Sequence, residues 1–261
     1  MCNTFSYSVS VITEKNDRGI GKPNEDAFLI QEEENCFLIL DGVSRRNEEY
    51  PITEEASPVI RAARCFTNTF AQAIKSDCSS QKRLTHALTQ ANAALRPLRE
   101  EKSKEEWGFY PGLVGLAVLL VHDHLYFSYV GDCIGLLLRD QRGIFFGEDP
   151  SVRRAEKEIP NRILRYERFC NRPSEAFSFG IFNGDDTLPA MIRSGSLPLE
   201  QGDQILLSTD GLANFLHFTP PPLLRTLSLE DILLQSEPLD HPPFASYRDD
   251  KTLIRITVTK D

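Results

Sequence analysis

Acidic residues stand at the ends of apolar runs in this chain, and they do so repeatedly. Cys36-Phe37-Leu38-Ile39-Leu40 runs into Asp41-Gly42, Leu125 to Val130 into Gly131-Asp132, and Gln204 to Thr209 into Asp210-Gly211. Two further acidic groups come just before apolar runs: Asn24-Glu25-Asp26 ahead of Ala27 to Ile30, and Asp249-Asp250 ahead of Thr252 to Val258. Taken singly, an Asp-Gly after a strand is a turn, because glycine accepts positive φ and aspartate caps the bend. Five in one chain mean more. In antiparallel sheets the end of one strand lies beside the start of its neighbour, so all five can reach one edge. Carboxylates gathered there repel one another and raise one another's pKa, and divalent cations offset that cost. An all-oxygen ligand set suits Mg2+ or Mn2+ better than zinc. Two such ions can activate water and stabilise the leaving oxygen of a phosphoryl group.

The elements that must position these acids follow from periodicity. Ser6–Ile12 alternates and is rich in Val, Tyr and Ile, which predicts a strand. Ala27–Gln31 and Cys36–Leu40 predict a pair of strands around Glu32–Asn35. Ile60, Ala63, Phe66, Phe70 and Ile74 recur at helical spacing, as do Leu84, Leu88, Ala91, Leu95 and Leu98, predicting two antiparallel helices. Strands follow at Leu113–Val121, His124–Val130, Ile134–Arg139, Ile144–Phe146, Ala190–Arg193, Gln204–Ser208 and Thr252–Val258, with a helix at Leu223–Leu234. Residues Ser151–Asn171, charged and broken by Pro160, read as irregular and partly helical. Strands, then a helix pair, then strands imply an α+β class.

Bulk properties narrow the function. A net charge of −9 and the lack of a basic stripe argue against nucleic acid as partner. Met1 to Tyr7 lacks the basic and apolar segments of a secretory leader, and Leu113–Val121 is too short to span a bilayer. The expectation is a cytoplasmic protein with no membrane partner. The six cysteines (2, 36, 65, 78, 133 and 170) form no CxxC pair and read as reduced thiols. Gly19-Ile20-Gly21-Lys22 lacks the spacing of a P-loop, and neither GxSxG nor HExxH occurs.

Five ordered motifs resemble those of the metal-dependent serine/threonine protein phosphatases of type 2C, with a bacterial character in Asn24-Glu25-Asp26 and Asp249-Asp250-Lys251-Thr252. The similarity runs from about Ser8 to Val258. It implies two antiparallel β-sheets packed as a sandwich and flanked by antiparallel helix pairs, in α-β-β-α layers. It also implies one domain over 1–261, with an irregular insertion around 147–189. Asp41, Asp210 and Asp249 would hold one ion; Glu25, Asp41 and the Gly42 carbonyl would hold a second; Asp132 with Asp210 matches a third, weaker position. Asp26 and Asp250 would orient those ligands from behind, and turnover would rest on Asp41 and Asp210. The activity implied is hydrolysis of phosphoserine and phosphothreonine in proteins by a metal-bound water, without a phosphoenzyme. The partners implied are a phosphorylated protein substrate and a regulatory kinase or other signalling protein. The chain departs from the family at Gly21, where many members carry a phosphate-binding arginine; Lys22 or Arg18 are the candidates to replace it. It also has Val43-Ser44-Arg45-Arg46 where a histidine is common, and Gly112-Leu113-Val114-Gly115 without the usual threonine. Two rival readings share these motifs: a pseudophosphatase acting as a binding module, and a phosphatase of a small phosphorylated metabolite.

Overall fold

The computed structural model describes residues 5–15, 23–43, 53–55, 57–76, 79–102, 111–240 and 249–260. Among the described residues ten strands form two sheets: β1 (Phe5–Glu14), β2 (Ala27–Gln31), β3 (Cys36–Val43), β4 (Gly112–Val121), β5 (His124–Val130), β6 (Ile134–Arg139), β7 (Arg142–Phe146), β8 (Arg193–Pro198), β9 (Gln204–Ser208) and β10 (Lys251–Lys260). One sheet has the order β1-β10-β9-β6-β7, the other β2-β3-β4-β5-β8, and every pairing is antiparallel. The α+β sandwich implied by the sequence is therefore the fold observed.

Burial explains why the central strands are unbroken apolar runs. Phe37, Ile39, Val118, Leu137, Ile205, Leu207, Ile254 and Ile256 fill the space between the sheets. On the outer face of the second sheet, Leu38, Leu40, Ala117 and Leu119 pack against α1 (Pro58–Ala73) and α2 (Ser80–Ala93) through Phe66, Phe70, Leu84 and Leu88. With both faces covered, β3 and β4 have no polar face to present. Each such fully buried side chain contributes roughly 1.5–3 kcal/mol. The outer face of the first sheet, with Ile134, Leu136, Leu206 and Leu253, is covered by three short helices: α6 (Ala213–Phe218), α7 (Pro221–Thr226) and α8 (Leu229–Ser236). The layers are α-β-β-α, but this far layer is not a long helix pair.

Several boundaries differ from expectation for identifiable reasons. The second predicted helix stops at Ala93 and restarts as α3 (Arg96–Lys102), because Pro97 cannot continue a helix from the residues before it. The predicted Leu223–Leu234 helix is likewise two, since Ser228 starts α8 afresh with a capping box to Asp231. Ala190–Arg193 is not a strand. A 3-10 turn occupies Leu188–Met191, and β8 begins at Arg193 as a sheet edge with a polar, half-exposed sequence. The insertion is more regular than expected, containing α4 (Pro150–Glu158) and α5 (Arg162–Phe169) on either side of Pro160. Its later part is tied to α2 by buried Asn92, whose Nδ2 donates to the Asp185 carbonyl at 2.9 Å while its Oδ1 accepts from the amides of Asn183 and Gly184.

Candidate metal centre

Strand register brings the acids to one end of the sandwich. Leu40 pairs with Ala27, so Asp41 follows one residue beyond the start of β2 and Asp26 lies just before it. Ser208 pairs with Leu253 on one side and with Ile134 on the other. Continued by two residues, that register carries Asp210 to Asp132 on the β6 side and to the start of β10, next to Asp249-Asp250, on the other. One link between the sheets is Val130-Gly131-Asp132, where the chain leaves β5 for β6. Gly131 makes this crossing at φ +88°, and a Cβ there would collide with the Val114 side chain. A residue other than glycine is excluded on both counts.

The first motif is fastened from several directions. The Glu25 amide donates to Asp250 Oδ2 at 3.1 Å, and the Ser57 hydroxyl donates to Glu25 Oε1 at 3.0 Å. Ser57 also caps α1, accepting from the Ile60 amide. Asn24 Oδ1 accepts from the Asp26 amide at 2.9 Å, and its Nδ2 donates to Thr13 Oγ1 at 2.8 Å. The Thr209 hydroxyl donates to Asp26 Oδ2 at 2.9 Å and accepts from the Thr252 amide at 3.0 Å. Gly42 packs directly against Glu25. A Cβ there would lie 2.6 Å from Glu25 Cβ and 2.8 Å from its carbonyl oxygen, so only glycine lets the two motifs meet.

The electrostatics are those of carboxyls forced together. Asp26, Asp41, Asp132, Asp210 and Asp249 remain partly accessible, as the lining of a cleft must, yet burial is the largest cause of the shift at each of Asp26, Asp41, Asp132 and Asp210. Burial, then the charges of Asp210, Asp26, Asp249 and Asp132, push Asp41 well above the carboxylate range. Burial and then Asp250 do the same to Asp26, against hydrogen bonds from the hydroxyls of Thr209 and Thr252. Asp210 rises to about 8, by burial and then Asp132 and Asp249, while a hydrogen bond with Asp41 and the charge of Arg153 oppose the rise. Asp132 rises to about 6, by burial and by Glu156 and Glu148, with its own backbone amide and Arg153 opposing. Cys133 is buried behind the acids, and its thiol is pushed upward first by burial and then by Asp41.

The donor set fits hard divalent cations. Asp210 Oδ1 is enclosed without a hydrogen-bond partner, and the surrounding ligands are oxygens. As the side chains stand, however, no group of three or more His, Cys, Asp or Glu among the described residues is arranged to hold a metal ion. The two facts are compatible. The carboxyls share one end of the fold and feel one another's charge. Glu25 touches the cluster through its backbone and through Gly42, with Oε1 turned toward Ser57. Lys22 and Arg18, with Gly21, Arg45 and Arg46, lie outside the described residues.

Sequence reasoning missed the parts of Ser57 and Thr209. Ser57 had a local signal, a serine before proline at a helix start. Thr209 had none, since its partners Asp26 and Thr252 are remote in the chain.

This arrangement of sheets and acids has the fold of the metal-dependent serine/threonine phosphatases of type 2C. A "bacterial serine phosphatase" superposes with a TM-score of 0.69 at 15% identity, over 98% of this chain and 99% of that one. PppA, described as a key regulatory component of the T6SS in Pseudomonas aeruginosa, gives 0.66 at 16% identity, over 98% and 99%. The catalytic domain of the serine/threonine protein phosphatase PstP, in complex with two manganese ions, gives 0.62 at 18% identity, over 98% and 100%. No family model matches the chain, and no curated protein matches it in sequence. No helix among the described residues is long and apolar enough to cross a membrane.

Proposed function

We propose that this chain is a metal-dependent phosphomonoesterase that removes phosphate from phosphoserine and phosphothreonine in proteins, residues 1–261 acting as one catalytic domain. The observation that carries this reading is the meeting of carboxyls from both sheets at one end of the sandwich, with Asp210 Oδ1 enclosed and unpartnered. Asp41, Asp210 and Asp249 would hold one Mn2+ or Mg2+. Glu25, Asp41 and the Gly42 carbonyl would hold a second, and Asp132 with Asp210 a third, weaker one. Asp26 and Asp250 keep these groups in place through Thr209, Thr252 and the Glu25 amide. When bound, such ions supply Lewis acidity and a water acidic enough to deprotonate near neutral pH.

The residues' own part is to exchange protons for cations. Asp41 and Asp210 hold protons at pH values where ordinary carboxyls have lost them, so loading and protonation compete. A phosphorylated protein is the substrate, and a kinase or other signalling partner is the regulator expected of such an enzyme. The PppA and PstP folds support this placing among bacterial signalling phosphatases.

Hydrolysis of p-nitrophenyl phosphate and of phosphothreonine peptides tests the proposal. Turnover should appear with Mn2+ or Mg2+ and vanish in excess chelator. Full activity in chelator refutes it. Metal binding without turnover would instead favour a binding module, and a preference for phosphorylated metabolites over peptides would move the substrate class.

A further inference from the structure

The start of β10 carries a charged side chain that the proposed chemistry leaves unused. Lys251 is 1% exposed and is among the largest side chains fully enclosed by the fold. Its ammonium donates to Ser236 Oγ at 2.6 Å, and the buried Ser236 hydroxyl donates in turn to the Leu233 carbonyl at 2.7 Å. Leu233 and Ser236 lie in the last turn of α8, where carbonyls without helical partners concentrate negative partial charge. We propose that Lys251 is a positioning residue of the metal centre: by anchoring the first residue of β10 to the end of α8, it holds the Asp249-Asp250 and Asp210-Gly211 motifs in place for the ions. The inference rests on the metal-dependent reading above.

Packing alone does not call for lysine here. Leu253, two residues on and on the same face of β10, belongs to one apolar cluster with Ile232 and Leu233 of α8. An aliphatic side chain at 251 would extend that cluster, whereas an ammonium is costly to take out of water. What lysine adds is a donor at the tip of a long stem, which ties one point of the strand to one point of the helix.

That point of the strand is where the acidic motifs meet. Asp250, before Lys251, accepts the Glu25 amide at 3.1 Å. Thr252, after it, donates its amide to the Thr209 hydroxyl at 3.0 Å, and its carbonyl accepts the Thr209 amide at 3.2 Å. Gly211 rests directly on the same segment. A Cβ at Gly211 would collide with the Asp250 carbonyl oxygen and lie 3.2 Å from Lys251 Cγ. The turn that carries Asp210 is therefore seated on the Asp250 backbone and the Lys251 stem. A displacement of Lys251 reaches Glu25 through Asp250, Asp210 through Gly211, and Asp249 through the chain itself.

The test is calorimetric titration of the full chain with Mn2+ below its melting temperature, beside melting curves in chelator. Lys251→Met keeps the apolar stem and removes the tether, and Ser236→Ala keeps the ammonium and removes its acceptor. Both should melt cooperatively in chelator, and both should weaken Mn2+ binding by roughly tenfold, the lower end of the loss expected when a group supporting metal ligands is removed. Ser236→Thr, which retains the hydroxyl, should recover most of that affinity. The double variant should bind about as weakly as either single one, and additive losses overturn the tether. Lys251→Met that binds Mn2+ as tightly as the unaltered chain overturns the proposal, as does tighter binding, which the mere loss of a repelling cation would produce. If Lys251→Met does not fold, unchanged Mn2+ affinity in Ser236→Ala overturns it equally. An unaltered chain that takes up no Mn2+ overturns the metal-dependent reading and this proposal with it, whereas equal uptake by altered and unaltered chains overturns this proposal alone.

Discussion

Asp41 stands within β3 of one sheet and Asp210 just beyond β9 of the other, yet the charge of Asp210 is felt at Asp41 and pushes its pKa up. Two acids in that relationship cannot both be ionised cheaply. A proton on one of them settles the conflict, and a cation would settle it with charge.

The first prediction concerns pH. Asp210 has a folded-state pKa of about 8, above the ordinary carboxylate value, and Asp41 is also raised. A raised carboxyl pKa means the folded state holds protons that the unfolded state has released. The associated stability is therefore complete below the unfolded pKa and is lost as pH rises through the folded one. Melting curves in chelator should shift to lower temperature between about pH 4 and pH 8. Mn2+ at a hundredfold excess over its Kd should add about 2.7 kcal/mol, or roughly 5–10 °C, and its effect should grow with pH. A flat pH dependence in chelator would contradict the coupled-carboxyl picture.

Removing one of the two acids should separate stability from activity. Asp210→Asn, and equally Asp41→Asn, should abolish turnover and tight Mn2+ binding. In chelator at pH 8 the same variants should melt no lower than the unaltered chain, because an amide removes the repulsion. Calorimetric Mn2+ titration and melting in chelator check both halves.

Thr209 is the pin between motifs. Its hydroxyl serves Asp26 and the Thr252 amide at once and is fully buried. Thr209→Val keeps the shape but strands both partners, at a cost of about 1–3 kcal/mol. A chemical denaturation midpoint lowered with an unchanged slope is the expected readout.

Ser57 couples a helix to Glu25, a proposed metal ligand. Ser57→Ala removes the cap of α1 and the donor to Glu25 Oε1. The cap alone is worth about 1 kcal/mol. Weaker Mn2+ binding should accompany the loss, whereas a purely structural cap would leave metal affinity unchanged.

The acids were legible in the sequence because the apolar runs of β3, β5 and β9 lead to them: Asp41 lies near the end of β3, and Asp132 and Asp210 stand two residues past β5 and β9. The edge strand β8 was illegible for the opposite reason: Arg193-Ser194-Gly195-Ser196 has the composition of a loop and becomes a strand only by pairing with β5. Helix breaks at Pro97 and Ser228 were written in the sequence but outweighed by apolar spacing.

The passage of the chain from one sheet to the other at Gly131 has a consequence for how competence is gained. No sub-structure built from a single sheet contains all the acids, so on the proposed function neither half of the sandwich would be partly active. The centre is assembled by the docking of the two layers and is undone by any slippage between them. Ion affinity thereby becomes a gauge of global alignment, and proteolytic pieces that keep every aspartate of one layer should still bind ions no better than an unfolded chain.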